Sequence, residues 1–247
     1  MSLFSLVGKN RRETSAARAD LQPLLNGWVK DRQLRSLLLS EDAFNYFRSL
    51  ENEISLVETS QRMALLLTSP SRGDGRTTAS LLLALLSGAY APALQTVYVD
   101  ASESSEHIAK SLALDSHRPG FYGVLDGSAT LDEATQVSPL ANLAVISGGS
   151  ARAGRKRFDA ARFATLCEEL KSRYHRVIID APAIETHREV LVMTKSINNV
   201  ILVLRCRRTP RALATLALNE LESVGANVIG SILNERVFPV PGSRVRG

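Results

Sequence analysis

Between two apolar segments runs Thr68-Ser69-Pro70-Ser71-Arg72-Gly73-Asp74-Gly75-Arg76-Thr77-Thr78, a polar loop whose residue types suit a phosphate. Gly73 and Gly75 remove side chains, so successive backbone N–H groups can converge on phosphate oxygens. A helix beginning near Thr77 would add its N-terminal dipole. Thr77 stands where a hydroxyl can ligate Mg2+. The loop departs twice from G-x-x-x-x-G-K-[ST], with Pro70 at the first glycine and Arg76 at the lysine. Taken alone, it leaves an ordinary strand-to-helix turn open as the alternative.

Two further apolar runs end in an aspartate, Asp100 in VYVD and Asp180 in VIIDAP. A carboxylate just past a buried strand lies at the carboxyl edge of a sheet, beside the phosphate loop. There it can hold Mg2+ through water or orient an attacking nucleophile. Each aspartate by itself could merely cap the following turn. All three features in this order favour a nucleotide site.

The elements that must position these residues follow from the patterning. Residues 63–68, 95–100, 142–146, 176–180, 199–205 and 228–234 read as short buried strands. Residues 77–88, 104–114, 158–173 and 188–195 read as helices, and so does a segment opened by Thr209 as cap with Pro210 at its first position and closed by Gly225. Such alternation predicts an α/β fold, a parallel sheet between two helical layers. Sites in such folds lie at the carboxyl ends of the strands. Residues 1–38 read as a flexible basic arm (Lys9, Arg11, Arg12, Arg18), residues 39–236 as the main domain and residues 237–247 as a flexible tail. A helix is expected from Ser40, with Ala43, Phe44, Phe47, Leu50 and Ile54 on one face.

Composition is that of an ordinary globular protein, 45% hydrophobic and 22% charged over 247 residues. The formal charge of +5 reads mainly as a solvated surface, with an acidic partner or a membrane surface second. A basic run at Arg152, Arg155, Lys156 and Arg157 reads as a solvated loop, or else as a phosphate-facing or partner-facing patch. Cys167 and Cys206 are far apart in apolar segments, which indicates neither a disulfide framework nor a metal site. Residues 1–7 are too short an apolar stretch for a secretory signal, and residues 79–94 are too short and too polar to span a bilayer. A cytoplasmic protein is expected.

Beyond these separate signals, residues 40–236 resemble the cytoplasmic ATPase domain of the bacterial tyrosine kinases of capsule and exopolysaccharide synthesis, a branch of the deviant-Walker P-loop ATPases that includes MinD and ParA proteins. The loop TSPSRGDGRTT resembles the family's TS-x-x-PGEGKST. The strand ending at Asp100 is similar to its second Walker-A-like strand. Residues 119–127 (PGFYGVLDG) resemble PGLSDVL-x-G, and residues 142–149 (NLAVISGG) resemble NL-x-VL-x-xG. Residues 177–182 (VIIDAP) resemble the Walker B strand VIIDTPP, residues 203–209 resemble VVR-x-G-x-T, and residues 225–234 resemble GA-x-VLG-x-VLN. The resemblance implies a three-layer P-loop NTPase fold with a short N-terminal helical arm. It also implies ATP or ADP and Mg2+ as cofactors: Gly73, Asp74, Gly75, Arg76, Thr77 and Thr78 would hold phosphates, Asn234 the base, and Thr77, Asp100 and Asp180 the metal. Arg76, Asp100 and Asp180 would be the catalytic groups.

The departures are specific. Arg76 keeps the positive charge without lysine's compact reach. Asp100 is followed by Ala101, Ser102, Glu103 and Ser104 instead of the family's D-x-D-L-R. The segment resembling EAFR-x-LRTNI keeps one arginine, Arg48, and the last tyrosine of the sequence is Tyr174, so the kinases' C-terminal tyrosine cluster is unmatched. A lost lysine–phosphate contact is worth on the order of 10²–10³ in rate, because charge builds on the transferred group, while ground-state binding can survive. The first expectation is therefore a divergent P-loop ATPase-like protein with weak or no kinase activity. It would regulate polysaccharide assembly through a membrane-bound chain-length or copolymerase-type partner, peripheral to the inner face of the membrane, with homo-oligomerisation left open. A second reading is a non-catalytic scaffold that kept the fold and lost the nucleotide. A third is a MinD/ParA-like positioning or partitioning ATPase. Ser71 stands near the signature lysine of those relatives, which ranks nucleic acid low as a partner.

Overall fold

The computed structural model describes residues 22–23, 25–42, 45–46, 49–50, 62–102, 105–149 and 158–235. Its strands are β1 (Met63–Thr68), β2 (Thr96–Asp100), β3 (Thr135–Val137), β4 (Leu143–Ile146), β5 (Arg176–Asp180), β6 (Asn199–Arg205) and β7 (Asn227–Asn234). They form one sheet in the order β3-β4-β2-β5-β1-β6-β7. All neighbours are parallel except β3, which runs antiparallel to β4 at one edge. Every residue of β2 and β5 is buried, as the unbroken apolar runs require of strands covered on both faces.

Side chains alternate across each strand, so the sheet has two cores. Leu65, Leu67, Tyr98, Ile178, Ile201 and Val203 point to one face. It is covered by α1 (Arg32–Leu38), α2 (Arg76–Tyr90) and α3 (Ser105–Ser111). Leu66, Val97, Val99, Ile179, Val200 and Leu202 point to the other. There lie α4 (Phe121–Asp126), α5 (Leu131–Ala134), α6 (Ala160–Arg173), α7 (Glu189–Met193) and α8 (Arg211–Ser223). The three-layer α/β/α expectation holds.

Three differences from the sequence reading have clear causes. Residues 25–38, expected within a flexible arm, pack Leu25, Trp28, Val29, Leu34 and Leu38 into the α2-side core. Asp31 fixes the start of α1 by accepting from the N–H groups of Gln33 (2.8 Å) and Leu34 (3.0 Å). The Lys30 N–H donates to Ser111 O at 2.7 Å, tying this segment to the end of α3. The more basic part of the arm, Ala43, Phe44, Phe47, Ile54, the 152–157 run and the 237–247 tail lie outside the described residues.

The second difference is a set of short elements, α4, α5 and β3, that periodicity does not announce. A Cβ on Gly120 would lie 2.2 Å from Ser147 O and 2.3 Å from Gly149 N, so only glycine lets residues 119–127 close onto residues 147–149. Phe121 N–H then donates to Ser147 O at 2.7 Å, and the Phe121 ring is buried 6.2 Å from that of Phe163. The third concerns Thr209. Pro210, not Thr209, holds the N-cap position of α8, and the Thr209 hydroxyl donates instead to Asp74 in the loop after β1.

Candidate phosphate-binding site

Alternation along β2 and β5 decides what lies under the loop. Tyr98 and Asp100 share the α2 face, and so do Ile178 and Asp180, while Val99 and Ile179 point away. Asp100 and Asp180 are directly paired across the parallel ladder. Two carboxylates are thus held side by side, both fully buried, beneath the first turn of α2.

Asp180 is neutralised from within the chain. Arg76 Nε donates to Asp180 Oδ1 at 2.8 Å, with 14% of the arginine side chain exposed and none of the aspartate. Tyr98, fully buried, donates its hydroxyl to Asp180 Oδ2 at 3.4 Å. Burial first, and then the charges of Asp180 and Asp100, hold the Tyr98 hydroxyl well above its usual range, so it stays a neutral donor. Asp100 Oδ1 accepts from the backbone N–H (2.9 Å) and hydroxyl (2.5 Å) of Ser102. Asp100 Oδ2 is buried and makes no hydrogen bond among the described residues. Burial and then the Asp180 charge push the Asp100 carboxyl up to about 7; the Ser102 hydrogen bonds and Arg76 oppose them.

The loop itself leaves β1 and enters α2 through Gly73 (φ 85°) and Gly75 (φ 88°), both in the left-handed region that favours glycine. Gly75 is the N-cap of α2 and supplies no side-chain cap. The free N–H groups of the first turn of such a helix are the anion-binding donors. Thr77 is half-buried and Thr78 exposed in that turn.

From the β6–β7 side a polar clamp holds the same loop. Asp74, 4% exposed, accepts from the Ser71 N–H (3.1 Å) and from the Thr209 hydroxyl (2.9 Å). The Thr209 oxygen in turn accepts from the Arg205 N–H at 2.8 Å. Asn234 Nδ2 donates to Asp74 O at 3.1 Å, close enough that a Cβ on Gly75 would meet it at 1.8 Å. Arg205 donates to Gly73 O at 3.2 Å and pairs through two nitrogens with Glu235.

Gly73, Asp74, Gly75, Arg76, Thr77, Thr78, Asp100, Asp180 and Asn234 therefore converge at the carboxyl ends of β1, β2, β5 and β7. Two of them face other partners than expected: Asn234 is bonded to the loop backbone, and Arg76 is turned onto Asp180. Four participants escaped the sequence reading. Tyr98 carried a signal, a hydroxyl two residues before Asp100 and so on its face. Ser102 is two residues beyond it. Arg205 and Thr209 carried one too, as the matched arginine and threonine of the 203–209 segment, which did not tell what they hold.

The arrangement fits a phosphate chain better than a divalent cation. Glycines with positive φ and a helix N-terminus offer donors to an anion. For Mg2+, both oxygens of Asp180 already accept hydrogen bonds, burial and the Asp180 charge raise the Asp100 carboxyl, and a guanidinium stands beside them. Among the described residues no cluster of three or more His, Cys, Asp or Glu could hold a metal. A cavity of about 80 Å³ between Asp31, Leu34, Thr77, Thr78, His107 and Ser111 adjoins the start of α2. It has room for a few waters and falls far short of a nucleotide.

No protein-family model matches the chain. The "Putative tyrosine-protein kinase CapB" of Staphylococcus aureus is 26% identical over 193 residues, covering 76% of this chain and 78% of CapB. Among solved structures, the kinase domain of the Escherichia coli tyrosine kinase ETK superposes with a TM-score of 0.72 at 21% identity, covering 83% of this chain and 80% of that domain. The septum site-determining protein MinD of Pyrococcus horikoshii, complexed with Mg-ADP, gives 0.60 at 21% identity, with 70% of each chain covered. The two superpositions establish the fold, and the CapB match extends over most of both chains. The protein is a divergent homologue of CapB, built on the P-loop NTPase fold that the ETK kinase domain and MinD share.

Proposed function

We propose that this protein is a nucleotide-binding regulator of capsule or exopolysaccharide assembly, with weak or no kinase activity. The observation that carries the reading is one constellation. A loop with two glycines in the left-handed region leaves β1 between the buried carboxylates of β2 and β5 and the polar clamp of β6 and β7. In this reading Gly73, Gly75, Thr77 and Thr78 receive the phosphates of ATP or ADP through backbone N–H groups and hydroxyls. Arg76 and Asp180 set the charge beneath them, and Asn234 closes the side where the base would lie. Kinase turnover is weak because Arg76, turned onto Asp180, does not place lysine's compact charge at a transferring phosphate. The role in polysaccharide assembly, through a membrane-bound partner, rests on the CapB likeness. Titration calorimetry with ATP and ADP tests the nucleotide part. Uptake of neither at millimolar concentration sinks it.

One observation favours a second reading, a scaffold without nucleotide: the Arg76–Asp180 ion pair already fills the space between loop and carboxylates. In that case the wild type binds nothing and an Arg76→Lys variant alone gains binding.

A further inference from the structure

Asp180 is a strand-end carboxylate whose charge is balanced by a residue of the phosphate loop itself. We propose that Arg76 is a tethered cation standing in for a divalent metal, so that the protein binds the polyphosphate of a nucleoside di- or triphosphate without Mg2+. This rests on the nucleotide reading above and goes beyond it by assigning the counter-charge.

Three observations support it. First, Arg76 enters α2 at its first residue and reaches the carboxyl edge of β5, spanning the interval between phosphate loop and strand-end acid. Second, only Nε is used for Asp180; among the described residues nothing takes the two Nη groups, which therefore retain N–H donors of the planar fork that suits phosphate. Third, both oxygens of Asp180 already have donors, Arg76 Nε and the Tyr98 hydroxyl, and Asp100 Oδ1 has two from Ser102. A divalent cation at these carboxylates, the unpartnered Asp100 Oδ2 included, would sit beside the guanidinium, like charge against like in a buried setting where screening is weak. A lysine ammonium in the same place carries its three donors on one nitrogen, whereas the guanidinium spreads its N–H groups over three nitrogens and can face acid and phosphate on different edges.

The test is calorimetric titration of the full chain with ADP and with ATP, in EDTA and in excess Mg2+. The wild type is expected to show dissociation constants that agree within about threefold between the two conditions, whereas Arg76→Lys binds at least about tenfold tighter with Mg2+ than in EDTA. Arg76→Gln, which keeps hydrogen-bonding capacity and loses the charge, is expected to lose binding in EDTA by about tenfold or more. Thermal unfolding of each variant checks that it is folded. Wild-type binding that requires Mg2+ overturns this inference and leaves the nucleotide reading standing. Wild-type binding in neither condition overturns both.

Discussion

The loop after β1 is held from two sides by different physics. On the β5–β2 side lie Asp180, Asp100 and Tyr98, without solvent exposure, in a small set of charged and hydrogen-bonded contacts. On the β6–β7 side lie Thr209, Arg205, Asn234 and Glu235, half-buried or exposed, which hold the loop through backbone and side-chain hydrogen bonds. Burial makes the first side costly to disturb, because a carboxylate without its cation has no water to turn to. The second side fixes shape, and water can replace much of what it gives. Charge balance is therefore set on one side of β1 and loop geometry on the other.

If that contrast is right, variants should rank by side. Arg76→Gln leaves two adjacent buried carboxylates without their cation and should lower stability by about 3 kcal/mol, read from urea unfolding at pH 8. A loss within experimental scatter would break the comparison at its strongest point.

Asp100 gives a signed test. Its carboxyl is raised from the ordinary 3.8 to about 7 in the fold. The folded state therefore binds its proton more tightly than the unfolded chain does. The stability this gives is fully present below about pH 4 and is lost as pH rises through about 7. Asp100→Asn should remove that fall, stabilising the protein by on the order of 2 kcal/mol at pH 8 relative to its effect at pH 4. Equal effects at both pH values would show that Asp100 is not buried against its neighbour's charge.

On the clamp side, Thr209→Val removes a donor to Asp74 and an acceptor for the Arg205 N–H, and should cost about 1–2 kcal/mol in the same unfolding assay. It should weaken nucleotide binding less than Arg76→Gln does. The smallest change is expected for Arg205→Ala, whose partner Glu235 is exposed. Its effect on the melting temperature should shrink further as salt is raised, because exposed pairs are screened. A Thr209 or Arg205 variant as damaging as Arg76→Gln would erase the distinction between the two sides.

Much of this was legible in the residue pattern. The buried strands, the long helices α2, α6 and α8, the loop between β1 and α2, and the two strand-end aspartates follow from local sequence, because periodicity and turn chemistry act over a few residues. The short elements α4, α5 and β3 were not legible: residues 119–127, which hold α4, showed only a motif, and α5 and β3 span four and three residues, too few for a period. The docking of residues 25–38 was missed because their basic and polar neighbours hide the spacing of Leu25, Trp28, Val29, Leu34 and Leu38, which acquire meaning against α2 and α3.

By itself, then, the sequence determined the alternation of strands and helices, the glycines that the loop requires and the presence of two carboxylates at strand ends. These depend on the intrinsic preferences of short stretches of chain. Only the tertiary structure decided that Asp100 and Asp180 are paired neighbours, that Arg76 lies on one of them, and that Thr209 and Asn234 hold the loop from the far side. Those facts depend on strand order and register, which bring together residues 104 apart between Arg76 and Asp180 and 135 apart between Asp74 and Thr209. No local preference encodes a contact at that separation; burial of both faces of one sheet does.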